Sequence, residues 1–382
     1  MKKKLVSALM CATMAVTMLA GCGNGSKNGT EAADGGTEAA ESEVVTNTYG
    51  DSKGTHLEMW TLMETYQGSD GHYYGAPYHV GATVMYYNVK AMGDAMGLSQ
   101  ADVIAKIDGV KTWDDYEALG TEYVEAAGEK GTKYWTSVDT GGTDWLWLAM
   151  AEYGEDWTGG FDGKANVQLD SVKKMLTMQQ KWLKSDLAEV SPDGHVDLEA
   201  GFQNIMDHNI VSFPKAMWYM SRFTNYMPDE KGNWYIAKCP TFEEGQKCSV
   251  GIGGTGTVVT QQSKAKELAA EFLCWAKMSE VGEQNIWDTL GFDVCNTACW
   301  TNDTFAHNDE NQYNQFFINY PYDVLNSIGM DNIGKISVVK ISPTINENVC
   351  NTTLNEVLED PDYSVDDALQ ELQDAVDMEQ EE

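Results

Sequence analysis

The chain has 382 residues, with 59 acidic side chains against 25 basic ones and a formal charge of −34. Such a surface repels nucleic acid and offers no basic patch to hold it, so that class of function is set aside. The length supports one large domain or two of medium size with well-buried cores, and the acidity suits a neutral ligand without identifying one.

Lys2, Lys3 and Lys4 open the chain, residues 5–20 are uncharged and largely apolar, and Leu19-Ala20-Gly21-Cys22 closes the stretch. Charge, apolar run and small-residue cleavage site in that order make residues 1–21 an export signal. Its end resembles the lipobox of bacterial lipoproteins, which implies lipidation of Cys22; two acyl chains hold a membrane stably where one does not. An ordinary cleaved signal with a chance cysteine is the plainer alternative. The expected location is the outer face of the bacterial cytoplasmic membrane, anchored at Cys22. Residues 22–55 are rich in Gly, Ser, Asn, Thr, Ala and Glu and read as a flexible acidic tether.

His56–Met63 alternates polar and apolar residues and is expected as a strand. Tyr73–Val80 reads as extended, with Pro77 placing it near an edge or crossover, and Thr83–Tyr87 as a further strand. Thr112, three residues before Asp115, predicts a capped helix with Trp113, Tyr116, Leu119 and Tyr123 on one face. Two more helical stripes follow, Val172, Met175, Leu176, Trp182 and Leu183, then Leu198, Phe202, Ile205 and Met206. Lys133–Val138, Ile210–Phe213 and Trp234–Cys239 are strand-like. Gly256–Thr260 leads to Ser263, an N-cap for a helix carrying Leu268, Phe272 and Trp275, and helices near Thr353–Leu358 and Val365–Val376 close the chain. Strands alternating with helices predict an α/β architecture with mostly parallel sheets.

Catalytic signatures are few. Gly251-Ile-Gly-Gly-Thr-Gly256 is glycine-rich, but no Gly-Lys-Ser/Thr follows and the chain enters a strand, so it reads as a crossover admitting close backbone approach. No His-Glu-x-x-His is present. Carboxylates abound, but sequence does not give the separation a glycosidase pair needs. Cys239 and Cys248 flank a turn and would bridge across a hairpin; the favoured reading of these and of Cys274, Cys295, Cys299 and Cys350 is buried free thiols, their disulfide state left open. Cys295 and Cys299 lack the further ligands a zinc site requires, so no metal, cofactor or catalytic residue is assigned. Aromatics stand out instead: Trp145 and Trp147 follow Asp139-Thr-Gly-Gly-Thr-Asp144, and Trp218–Tyr226 packs four aromatics with Arg222 and Asn225. Flat aromatic faces suit the C–H face of a sugar ring, and carboxylates, amides and Arg suit its hydroxyls.

Several segments together resemble the sugar-binding lipoproteins of ABC importers, the extracellular solute-binding proteins related to maltose-binding protein. They are Tyr74–Asn88, Lys111–Tyr116, Pro240–Gly245, Val250–Gly256 and Lys266–Phe272, while Trp218–Pro228 and Ser342–Asn346 look closest to the arabinose-oligosaccharide branch. The resemblance implies a two-lobe periplasmic-binding-protein-like type II fold, closing over sugar by a hinge. Its implied ligand residues are Trp60 and Glu64 from the first strand, His79 and Thr83 at one crossover, Asp139 and Trp145 from the second lobe, Trp218 stacking on a ring with Arg222 beside it, and Gly254 and Thr255 at a second crossover.

One departure from the family pattern stands out. Met63–Gly71 bridges in a few residues a gap that the family fills with most of its first lobe. The expected organisation is therefore a truncated first lobe (56–82 plus 257–310) beside a complete second lobe (83–256 plus 311–378), with apolar surface exposed on the helix after Ser263 and weakened sugar binding. The function implied is that of a monomeric, lipid-anchored binding component that delivers a mono- or oligosaccharide to ABC permease subunits, without enzymatic activity. The alternatives are a non-binding surface adhesin or scaffold and a surface glycosidase.

Overall fold

The computed structural model describes residues 74–380 except 78 and 161–162. The signal, the tether, the strand expected at 56–63, and Cys22, Trp60 and Glu64 lie outside the described residues. Among the described residues no helix is long and apolar enough to cross a membrane.

After β1 (Ala76–Pro77) comes β2 (Thr83–Asn88), buried throughout, whose last residue caps α1 (Val89–Met96) through the Asn88 side chain. α2 (Gln100–Gly109) is capped by Ser99. α3 (Trp113–Ala127) starts with the predicted capping box: Asp115 N–H donates to Thr112 Oγ1, and Thr112 N–H donates to the Asp115 carboxylate. β3 (Thr136–Val138), α4 (Asp144–Tyr153), α5 (Asp170–Lys184), β4 (Ala188–Val190), α6 (Glu199–Met206) and β5 (Ser212–Ala216) follow in turn. A helical run over 217–226 ends in α7 (Met220–Tyr226); β6 (Trp234–Ala237), β7 (Ser249–Val250) and β8 (Gly256–Thr257) come next. α8 (Lys266–Met278), α9 (Glu280–Leu290), β9 (Ile333–Gly334), α10 (Leu354–Glu359) and α11 (Val365–Gln380) complete the larger elements.

The central sheet is mixed, not mostly parallel as its β–α alternation suggested. β2 lies between β5 and β6 and runs antiparallel to both, while β3 pairs parallel with β4 and touches the start of β5 through a parallel Tyr134–Ile210 bridge. β3, β4 and β5 therefore end on the same side. Alternate residues of β2 face opposite cores. Met85 and Tyr87 join Trp113, Tyr116, Trp135 and Trp182 on one face; Val84 and Tyr86 join Phe213, Phe223, Trp234, Trp287 and Tyr322 on the other. Trp287, Val294 and Cys295, in a stretch expected to belong to the first lobe, thus share a core with β2.

Three differences from the sequence expectations have local causes. Ser263 does not cap a helix: α8 begins at Lys266 with no side-chain cap, and the Ser263 hydroxyl accepts from Ala265 N–H instead. α8 buries none of its residues, and Leu268 and Phe272 are 66 % and 52 % exposed, the uncovered apolar stripe expected there. Leu198 and Phe202, on the expected helical stripe, lie at its surface end, whereas Ile205 is buried. All six described cysteines are free thiols, but only Cys239, Cys295 and Cys299 are buried; Cys274 is exposed.

Candidate functional site

In open α/β sheets the space beyond the carboxyl ends of the parallel strands is where ligands bind. Asp139 follows β3, Ser191 follows β4 and Trp218 follows β5, so three segments reach the same end of the sheet. β2 starts there too, since Thr83 pairs with Ala216, and the two crossovers at 79–82 and 251–255 meet beside it.

The crossovers are joined backbone to backbone. Ile252 N–H donates to Gly81 O at 2.8 Å. Gly81 has φ +72°, and a Cβ there would sit 2.3 Å from Ile252 O, so only glycine fits. Trp218 Nε1–H donates to Ile252 O at 2.9 Å, holding the half-buried indole against this joint. Gly253, at φ +100°, brings its backbone so close that a Cβ would lie 3.2 Å from Trp218 Nε1 and 3.4 Å from His79 Cε1. The glycine run is thus a close-approach crossover, as expected. Thr255 N–H donates to His79 Nε2 at 3.1 Å, which leaves the neutral ring's proton on Nδ1. Burial, with Lys277 nearby, pulls the His79 imidazole down to about 4.

Behind His79, Asp293 is fully buried and accepts from Gly81 N–H at 3.1 Å and Ala82 N–H at 2.7 Å. Burial pushes its carboxyl up to about 7 despite those two donors. A folded-state value raised above the unfolded one means that its stabilising contribution is complete below the unfolded pKa and is lost as pH rises toward 7. Asp293→Asn should therefore gain stability relative to the parent as pH rises from 4 to 7, on top of a constant loss from the missing acceptor. Urea midpoints across that range measure this; a difference that stays constant with pH would refute the linkage.

A second cluster lies at the ends of β3 and β5. The Lys215 ammonium is 3.2 Å from Asp139 Oδ2, in direct contact with Asp144 Oδ2 and 3.3 Å from His195 Nε2. Its side chain is 1 % exposed. Asp139 also accepts from Ser191 Oγ at 2.6 Å and Val196 N–H at 3.0 Å. Burial alone would raise the Asp139 carboxyl, but Lys215, His195 and these donors hold it below its usual value. The Lys215 amine in turn is raised by Asp144 and Asp139, against its own desolvation. Asp139, Asp144 and His195 are the group among the described residues whose ligand atoms gather as a metal site would require. Lys215 already places a positive charge among them.

From His195 the contacts continue outward. Asp197 N–H donates to His195 Nδ1 at 3.0 Å, and the Asp197 carboxylate accepts from Arg222 Nε and Nη2 at 2.6 and 3.2 Å. The Arg222 guanidinium lies 5.5 Å from the Trp218 ring centroid, a cation–π distance.

The structure thus brings His79, Trp218, Arg222, Gly254 and Thr255 to one place. Two expected ligand residues do not face it. Trp145 is interior, packed 5.6 Å from Trp113 and 5.7 Å from Trp182. Thr83 is fully buried and donates its hydroxyl to Val250 O, fastening β2 to β7. Asp139 is at the site's floor but is saturated by Lys215, Ser191 and Val196. Sequence reasoning missed Lys215, His195, Asp197 and Asp293. A lone lysine inside the apolar strand Ser212–Ala216 was a signal of a buried ion pair; the partners, distant in sequence, were not readable.

Residues 29–282 match the family model described as bacterial extracellular solute-binding protein. The chain is 34 % identical over 310 residues to an arabinooligosaccharide-binding protein of Halalkalibacterium halodurans, covering 80 % of this chain and 66 % of that one. It is also 34 % identical over 318 residues to one of Bacillus subtilis, covering 81 % and 69 %. The match thus spans about two thirds of the length of these relatives. Among solved structures, the sugar-binding protein MalE of Xanthomonas citri superposes with TM-score 0.64 at 16 % identity over 84 % of this chain and 74 % of its own. A binding protein of B. animalis subsp. lactis in complex with β-1,6-galactobiose gives 0.64 at 18 %, over 83 % and 76 %. At such identities these neighbours speak for the two-lobe fold.

Proposed function

The chain belongs to the bacterial extracellular solute-binding proteins, and from that premise we propose that it is the lipid-anchored sugar-capturing component of an ABC importer. The observation that carries the proposal is Trp218: a half-buried indole at the carboxyl ends of the parallel strands, fixed by Ile252 and flanked by the Arg222–Asp197 pair. One face of a sugar ring stacks on such an indole while charged and amide groups take its hydroxyls. The names of the two relatives favour an arabinose oligosaccharide as ligand. No bond is made or broken; ligand contacts that coexist only in a closed form draw the lobes together, and the loaded monomer passes its cargo to the permease.

A second reading, a surface lipoprotein that has lost sugar binding, draws on α8, whose apolar stripe lies uncovered. Thermal melts against a sugar panel separate the two. At 10 mM ligand and a Kd of about 1 mM the folded form gains about 1.4 kcal/mol, which reads as a rise of a few degrees in Tm. Arabinose oligosaccharides should give that rise, and a flat panel would leave the second reading standing. Anchoring is tested apart from binding: Cys22→Ser should release the protein from membranes into the medium, and its retention there would refute the anchor.

A further inference from the structure

Trp218 does not stand alone on its helical run. Trp218, Arg222 and Tyr226 recur at intervals of four along 217–226, which places them along one flank. At about 1.5 Å per residue the run carries the chain about 12 Å from Trp218 to Tyr226. Tyr226 is 55 % exposed, and its ring stacks on Phe202 of α6 at 4.9 Å with an interplanar angle of 10°. Phe202 is itself backed by Tyr219, 6.3 Å away. One face of the phenol is thus pinned, and more than half of the side chain is left in water. Leu198, also exposed, begins the same stripe of α6. Arg222, fixed by Asp197, fills the interval between the two aromatics. Tyr226 and Leu198 thus leave apolar surface open to solvent beside the fixed Arg222.

We infer that Tyr226, supported by Phe202, is an outer sugar platform that continues the Trp218 site and sets a preference for longer oligosaccharides. The inference rests on the proposed sugar-binding function. In it, one ring of an oligosaccharide lies on Trp218, the Arg222–Asp197 pair meets the hydroxyls between, and a later ring lies on the open face of Tyr226. A disaccharide seated at Trp218 does not reach the platform; longer chains do. An aromatic face of this kind adds about 3- to 10-fold in affinity.

The test is a ligand-observed NMR titration of the whole protein with the di-, tri- and tetrasaccharides of arabinose. The parent should bind the tetrasaccharide about 3- to 10-fold more tightly than the disaccharide. Tyr226→Ala should bring the tetrasaccharide down to the disaccharide's affinity and leave the disaccharide within about 2-fold of the parent, whereas Tyr226→Phe, which keeps the ring, should behave as the parent does. Unchanged melting curves of both variants accompany the expected result. The platform is overturned if parent affinity does not rise with chain length, or if Tyr226→Ala weakens all lengths alike or none. If the parent binds none of the three sugars, the proposed function itself falls and takes the platform with it, an outcome distinct from length-independent binding.

Discussion

Lys215→Met lowers the stability of this protein by about 3–5 kcal/mol at neutral pH, the cost of leaving a buried charge without its partner. The ammonium is shared by Asp139 and Asp144, and the lysine is almost completely buried, so water does not take its place. The effect carries a pH signature. In the parent, Asp139 has a lowered value, so its contribution is present above the unfolded pKa and is lost as pH falls through the folded one. In the variant the two carboxylates repel each other in a dry site, so protonation relieves them, and the gap between parent and variant narrows as the solution is acidified. Replacing all three groups together, as Lys215→Met with Asp139→Asn and Asp144→Asn, should recover much of the loss, because no uncompensated charge remains. Urea denaturation at several pH values supplies the measurement. A loss below about 1 kcal/mol at pH 7, or one that is the same at pH 5, would mean that the cluster does not hold the ends of β3 and β5 together.

Sequence is legible where its signals are local. The Thr112–Asp115 box and the Trp113, Tyr116, Leu119 and Tyr123 face are set by neighbours three or four residues apart, and the structure has them as read. The glycine crossover was also readable, because the adjacent positive-φ residues Gly253 and Gly254 are a local demand. Sheet direction was not: alternating strands and helices look the same whether β2 runs with β5 or against it, and the antiparallel pairing of Thr83 with Ala216 joins residues far apart in the chain. Periodicity names the apolar face of a helix but not what covers it. Leu198 and Phe202 fell on a helical stripe, yet each lies at least partly in solvent. Trp145 failed for the opposite reason: a tryptophan after a glycine-rich turn looks available, and only the arrival of Trp113 and Trp182 from other helices makes it core. Trp218 differs in that its polar edge meets a crossover carbonyl instead of packing wholly inside.

On the proposed function, arabinotriose should bind this protein with a Kd near 1 mM, about −4 kcal/mol, against the roughly −8 kcal/mol of micromolar binding. The reasoning is one of halves. Tight capture by a hinged protein requires contacts on both lobes that exist together only when it closes. The groups gathered at the carboxyl ends of β3, β4 and β5 are proposed to supply one such surface, with Trp218, Arg222 and Asp197 as its ring-stacking and hydroxyl-binding parts. The opposing surface is the one the short Met63–Gly71 bridge is proposed to have curtailed, and α8, with Leu268 and Phe272 uncovered, is what a missing layer would leave behind. Trp218→Ala should then abolish binding up to at least 10 mM sugar, because it removes the stacking face while the Gly81–Ile252 joint, made by backbone, stays intact. Ligand-observed NMR detects such weak binding, and calorimetry would detect the stronger kind. Micromolar affinity in the parent would show that a complete second surface exists and would end the curtailed-lobe proposal; millimolar affinity unaffected by Trp218→Ala would move the sugar away from the carboxyl ends of these strands.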